Sequence, residues 1–233
     1  MTDKYKRWYD QDCIRSFDSK GAQDFFESEV RFLKTIAPNV HSVLDIGCAS
    51  GRMIELLNDI LPQYTYCGID IVQQSIENAQ KSYPDSTFHH CNALEFECED
   101  TFDLINATGV MQHEVKFEEL VHRMIGWSNR YVLFDVKFAN IDAHEVDIKR
   151  SYCGTEHKLN FVLLSPTLFV DFLKRQKNVK KISMFGYETG LNSRTVVPAG
   201  VDRVISAGVL LELGQVTGAA PTVEVDIPLL DLS

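Results

Sequence analysis

Between residues 22 and 138, short apolar runs alternate with stretches whose apolar positions recur every three or four residues. Phe25, Phe26, Val30, Leu33 and Ile36 fall at helical spacing, and Pro38 closes that segment. SVLDI (42–46) has strand length, and RMIELLNDIL (52–61) is helical up to Pro62. YTYCGID (64–70) reads as a second strand, QQSIENAQKSY (73–83) as a helix stopped by Pro84, and STFHH (86–90) as a third strand. FDLINA (102–107) is a fourth strand, FEELVHRMIGW (117–127) a helix and YVLFDVKF (131–138) a fifth strand. Strands separated by helices of this length predict parallel βαβ units with right-handed crossovers, hence an α/β, doubly wound sheet.

The rhythm changes after Phe138. Residues 139–164 carry no assignable period. SPTLFVDFLKRQ (165–176) is a helix, with Ser165 as N-cap and Pro166 at its first position. Residues 179–188 and 202–213 are two strand-like runs with no helix between them, so they pair antiparallel. The sheet then counts seven strands, mostly parallel with an antiparallel C-terminal strand. Residues 1–20, polar with isolated aromatics, read as an N-terminal arm or lid. Residues 21–213 form one domain whose segment 139–164 is placed to cover a substrate, and 214–233 are a tail.

Charge narrows the function. The chain has 233 residues and a formal net charge of −10, with no basic run. Broad nucleic-acid binding needs a basic face that releases counterions, so nucleic acid is not the expected partner. No stretch approaches the ~18 apolar residues of a membrane helix, and the first residues lack the apolar core of a signal peptide. Six cysteines lie scattered without a C-x-x-C pair, which fits a reducing, cytoplasmic setting.

The candidate chemistry begins at VLDIGCASG (43–51). A buried strand ends on Asp45, and a turn opens with Gly47 and Gly51. Gly47 permits a sharp turn and close backbone approach, and Gly51 lets the next helix sit against the strand. Ligands of open α/β sheets bind outside the carboxyl ends of such strands. The spacing is not the G-x-G-x-x-G of dinucleotide sites, and an acid at Asp45 repels phosphate and suits a cation. Asp70 closes the second strand, 25 residues after Asp45, where a carboxylate accepts hydrogen bonds from both hydroxyls of a ribose. Ile71 follows on the adenine side. At the end of the third strand, the Asn92 side-chain oxygen and the Ala93 N–H match an adenine edge.

Taken in order, VLDIGCASGRM, GIDI, HHCNALEF and FDLINATGVMQH resemble the motif set of class I S-adenosylmethionine-dependent methyltransferases, of the small-molecule group, over residues 42–138. The resemblance implies a Rossmann-like seven-stranded fold with the last strand inserted beside the fifth. It implies S-adenosyl-L-methionine as cofactor and S-adenosyl-L-homocysteine as product. It carries Asp45, Gly47, Cys48, Gly51, Asp70, Ile71, Asn92, Ala93 and Asn106 over as the cofactor cradle. Ala49 replaces a frequent third glycine, and Asn92 stands where Asp is commoner. Two alternatives stay open: a cofactor-binding scaffold without catalysis, and a nicotinamide-dependent oxidoreductase.

Methyl transfer needs acceptor, methyl and sulfur held in line, and an oxygen acceptor also needs its proton removed. Gln112 and His113 follow the fourth strand at the sheet's carboxyl edge, so His113 is the first candidate base and Gln112 a substrate contact. Asp135, at the fifth strand, is a second catalytic candidate or the partner of Lys137. Tyr152 and His157 are substrate candidates in the cover segment. HHC (89–91) is not a metal set, because consecutive strand residues point to alternate faces. The expected function is methylation, with oxygen as the expected acceptor atom, of a small molecule or a sugar unit.

Overall fold

The computed structural model describes residues 25–188, 191, 193–215 and 220–227. The arm at 1–20 lies outside the described residues. An eight-stranded sheet forms the centre of the fold. Helix α1 (Glu27–Ile36) leads through a short 3₁₀ turn containing Pro38 into β1 (Ser42–Ile46). Then follow α2 (Met53–Ile60), β2 (Thr65–Asp70), α3 (Gln73–Ser82), β3 (Thr87–His90), β4 (Phe102–Ala107), α4 (Phe117–Trp127) and β5 (Ser128–Phe138). Two-residue strands β6 (Tyr152–Cys153) and β7 (Leu159–Asn160) precede α5 (Pro166–Lys174) and β8 (Val179–Glu188). The chain continues with β9 (Thr195–Val196), β10 (Ile205–Leu213) and β11 (Thr222–Asp226).

The sheet order is β11-β8-β10-β5-β4-β1-β2-β3, and β6, β7 and β9 make a separate small sheet. Strands β1 to β5 run parallel, while β10 lies antiparallel between β5 and β8. The paired runs at 179–188 and 202–213 are therefore neighbours, as their pattern predicts. Parallel strands covered on both faces must be apolar throughout. Val43 and Leu44 of β1, Leu104 and Ile105 of β4, and Val132 to Phe134 of β5 are all fully buried.

Two places depart from the sequence pattern. The sheet has eight strands, not seven, because residues 222–226 of the tail add β11 in parallel to β8. Four of its five side chains are exposed, so it carries no apolar stripe to reveal it. Its edge position is held by ladder hydrogen bonds and by ion pairs, Lys181–Glu224 at 2.8 Å and Arg31–Asp226 at 3.1 Å. Strand β5 also begins three residues before the apolar run, since polar Ser128 pairs with Phe102.

The cover segment 139–164 is partly core. Val162, Leu163 and Leu164 are buried, with the Val162 N–H donating to the Gln112 carbonyl and the Leu164 N–H to the Lys137 carbonyl. No helix among the described residues is long and apolar enough to cross a membrane.

Candidate active site

The carboxyl ends of β1, β2 and β4 open into a cavity of about 710 Å³. Its floor is built from backbone. The Gly47 N–H donates to the Ile69 carbonyl at 2.8 Å, which bends the chain sharply after β1. Gly47 has φ +72°, and a Cβ there would lie 2.5 Å from Val110 Cγ2. Ala49 also takes a left-handed conformation, φ 47°, where the related motif has its third glycine. The strained turn is held because the Ala49 N–H donates to Asp70 Oδ2 at 2.9 Å. The other oxygen of Asp70 accepts the Val72 N–H at 2.8 Å. Asp70 therefore ties the end of β2 to the turn after β1 and still faces the cavity. Burial raises its pKa above the ordinary carboxylate value, against the backbone donors that hold the anion.

Asp45 lies beneath this turn, 3% exposed. It accepts the Tyr66 hydroxyl at 2.6 Å and the Asn106 amide at 2.8 Å. Burial pushes its pKa up to about 6, and the two donors oppose that shift. Asn106 also donates to Thr108 Oγ1 at 3.1 Å, and the Thr108 hydroxyl donates to Glu29 of α1. A continuous hydrogen-bonded chain thus runs from β2 through β1 and β4 to α1. Glu29, 3% exposed, lines the cavity, and burial raises its pKa to about 8. It stands three residues after the N-cap Phe26, whose backbone also holds it, as in one half of a capping box.

Another side of the cavity forms at β3. The His90 ring nitrogen Nε2 donates to the Ile71 carbonyl at 3.0 Å, which fixes Ile71 on the wall. Asn92 Oδ1 accepts the Leu94 N–H at 3.0 Å, so that side chain shapes its own turn. Cys48 and Ala93 complete this side. Burial raises the Cys48 pKa well above the ordinary thiol value, which keeps it a neutral filler.

The opposite end is built from side chains of distant segments. His113 follows β4 in a 3₁₀ turn, and its Nδ1 lies 2.7 Å from the Asn160 carbonyl of β7. A carbonyl only accepts, so Nδ1 carries the proton and Nε2 is the basic nitrogen. Burial lowers the His113 pKa below 6.5 and favours the neutral ring. Phe25, Phe26 and Phe161 supply apolar wall. Residues 153–155 and 193–195 close this end, with the Gly154 N–H donating to the Arg194 carbonyl at 3.0 Å.

The structure gathers Asp45, Gly47, Cys48, Asp70, Ile71, Asn92, Ala93, Asn106, Gln112 and His113 around one cavity. Four sequence candidates do not line it. Gly51 instead serves packing, since a Cβ there would meet Tyr83 Cδ2 at 2.9 Å. Asp135 is sealed behind the wall, where it accepts the Gly109 N–H at 2.5 Å and the Lys137 ammonium at 2.9 Å. It positions the loop after β4. Tyr152 lies under the Lys158 ammonium, 3.8 Å from the ring centroid, and His157 stands on the same loop outside the lining. Glu29, Thr108, Arg52 and Arg194 line the cavity and were missed. For Glu29 a signal exists: a carboxylate three and four residues before buried Phe32 and Leu33, on the apolar face of α1. For Arg194 there is none.

Residues 44–126 match the family model described as "Methyltransferase domain". The chain is 30% identical over 91 residues to trans-aconitate 2-methyltransferase of Escherichia coli. That match covers 39% of this chain and 36% of the relative, so the matched segment spans about a third of the curated protein. Among solved structures, the N-terminal domain of EvdMO1 with S-adenosylhomocysteine bound aligns at TM-score 0.61 and 12% identity, over 80% of each chain. Magnesium protoporphyrin IX methyltransferase from Synechocystis PCC 6803, also with that product bound, aligns at TM-score 0.56 and 12% identity, over 90% of this chain and 99% of the other. Residues 44–126 are thus a methyltransferase domain, in a chain with the class I S-adenosylmethionine-dependent methyltransferase fold.

Proposed function

We propose that this protein transfers the methyl group of S-adenosyl-L-methionine to an oxygen of a small-molecule or sugar acceptor. The observation that carries the reading is the division of one cavity. Two carboxylates and a strained backbone turn face one end, and a neutral histidine with a defined tautomer faces the other. The residues present fit the cofactor. Asp70 accepts from the ribose hydroxyls with the lone pairs left by its backbone donors. Ile71 and the Ala93 N–H take the adenine. Asp45, held by Tyr66 and Asn106, offers negative charge below the cationic end. Arg52, at the start of α2 with its guanidinium 4.7 Å from the Phe25 ring centroid, takes the amino-acid carboxylate.

When bound, S-adenosylmethionine supplies a methyl carbon whose S–C bond breaks, leaving its electron pair on sulfur, as the acceptor's O–C bond forms. The chain's part is to hold the acceptor oxygen in line and to take its proton. His113 Nε2 accepts that proton, and the Asn160 carbonyl orients the ring and stabilises the imidazolium that results. Phe25, Phe26 and Phe161 exclude water from the reacting atoms. Residues 153–155 and 193–195 cover the acceptor.

Calorimetry with S-adenosylmethionine and S-adenosylhomocysteine tests the cofactor half. Micromolar binding of both is expected, and no binding, or preference for a nicotinamide dinucleotide, overturns it. Release of S-adenosylhomocysteine with sugars, phenols or small carboxylic acids tests the acceptor half. Cofactor binding without turnover on any of these favours the scaffold alternative.

A further inference from the structure

Glu29 of α1 and Asp45 of β1 are both buried, and both line the cavity. One hydrogen-bonded chain joins them. Asp45 Oδ1 accepts the Asn106 amide at 2.8 Å, that amide donates also to Thr108 Oγ1, and the Thr108 hydroxyl donates to Glu29 Oε1. Asn106 and Thr108 line the cavity too, so the contact with Thr108 fixes the Glu29 carboxyl on the cavity wall, just past the end of β4. Among the described residues, the hydrogen-bond partners of these two acids are neutral: Tyr66 and Asn106 for Asp45, Thr108 and the Phe26 N–H for Glu29. Asp135, the third acid of the group, differs, because it holds the Lys137 ammonium at 2.9 Å. A buried carboxylate calls for a paired cation. At Glu29 and Asp45 a ligand can supply it.

Resting on the cofactor reading above, we propose that Glu29 is the acceptor for the ammonium of the cofactor's amino-acid end. Through Thr108 and Asn106 it is tied to Asp45, beneath the turn at Gly47. A carboxylate offers about four lone-pair sites, and Thr108 and the Phe26 N–H occupy two of them. Phe25 and Phe26 line the same cavity, and excluding water there strengthens a charged pair. Ammonium binding also changes the protonation of Glu29. Burial, with Asp45 and Asp135 nearby, holds its pKa at about 8, so at pH 7 the free protein carries a neutral acid. The ammonium favours the anion: the Glu29 O–H bond breaks, its proton passes to solvent, and the carboxylate pairs with the ligand. Asp45, at about 6, is largely ionised at pH 7 already. Tyr187 of β8 also faces Glu29, and burial pushes its phenol up to about 12, so it keeps its proton. Lys137 of β5 stays on Asp135, Arg52 of α2 lies over Phe25, and Glu27 opens the same helix.

The test is calorimetry of S-adenosylhomocysteine at pH 7 in PIPES and imidazole buffers, whose unequal ionisation heats reveal the protons released. The deaminated analogue, with hydrogen in place of the ammonium, is titrated in parallel. Wild type is expected to release about one proton per S-adenosylhomocysteine and almost none with the analogue. It is expected to bind the analogue about tenfold or more weakly, the scale of one charged hydrogen bond. Glu29→Gln is expected to abolish the release and the preference for the ammonium, while binding the analogue as wild type does. A purely structural Glu29 would instead weaken both ligands alike. No proton release by wild type, equal wild-type affinity for the two ligands, or an undiminished preference in Glu29→Gln overturns the proposal, and the first two need no variant. Binding of S-adenosylhomocysteine without release leaves the cofactor reading standing and sinks only the role of Glu29. Absence of binding overturns the cofactor reading, and this proposal with it.

Discussion

The two ends of the cavity are made differently. The end proposed for the cofactor uses backbone groups and short side chains from consecutive βαβ units: Gly47, Ala49, Asp70, Ile71 and Ala93 lie within 47 residues of one another. The end proposed for the acceptor assembles the segment leading into α1, the turn after β4, Phe161 after β7 and the residues at the start of β9, from Phe25 to Thr195. A ligand end built from turns after parallel strands is fixed by the fold itself and tolerates little change. An end built from side chains on connections is free to change specificity without disturbing the sheet. His113 is the joint, since it follows β4 but is oriented by β7.

That contrast fails if removing His113 damages both ends alike. His113→Ala is expected to lower turnover by roughly 10²–10⁴-fold, the usual range for a general base, with cofactor affinity near wild type. Because burial lowers the His113 pKa below 6.5, the rise of wild-type turnover with pH, as the ring loses its proton, is expected on the acid side of 6.5, with a level plateau by neutrality. A variant that loses cofactor binding to the same degree shows that His113 supports the whole cavity instead.

Glu29 sharpens the comparison from the stability side. Its folded pKa of about 8 exceeds the ordinary 4.5, so the folded state holds a proton that the unfolded chain releases. Folding stability from this group is present below about pH 4.5 and is lost as pH rises towards 8. Glu29→Gln keeps a neutral hydrogen-bonding side chain. It is expected to gain stability over wild type progressively across that window, by up to about 4 kcal/mol at pH 8, in paired thermal melts. A constant difference at all pH values shows that Glu29 is ionised in the folded protein.

At the cofactor end, Asp70→Ala is expected to weaken S-adenosylhomocysteine by about 1.5–3 kcal/mol in calorimetry, the worth of charged hydrogen bonds. Part of that loss comes from freeing the Ala49 and Val72 N–H groups that Asp70 now holds. Equal affinity in the variant removes Asp70 from the cradle.

The smallest expected effect is at Ala49. A left-handed alanine costs about 1–2 kcal/mol, and glycine costs about 0.5–1 kcal/mol in extra chain entropy. Ala49→Gly is therefore expected to stabilise the fold by about 0.5–1 kcal/mol in denaturant unfolding. Destabilisation shows that the Ala49 methyl contributes packing that outweighs its strain.

The sequence by itself determined the half of the cavity proposed for the cofactor. Alternating apolar runs encode buried parallel strands, and the acids at 45 and 70 sit at strand ends because strand length sets where a strand stops. Local spacing therefore sufficed to bring Asp45, Gly47, Asp70 and Ala93 to one edge. It did not separate residues that touch the cavity from residues that hold its wall. Gly51 and Asp135 share the motif, but only packing against Tyr83 and the Gly109–Lys137 hydrogen bonds shows what they do. Strand β11 was hidden because an exposed edge strand needs no apolar stripe. The end proposed for the acceptor was decided by tertiary structure alone. Phe25, His113, Asn160 and Arg194 lie far apart along the chain, and their approach depends on pairings in the small sheet of two-residue strands, too short to leave a period.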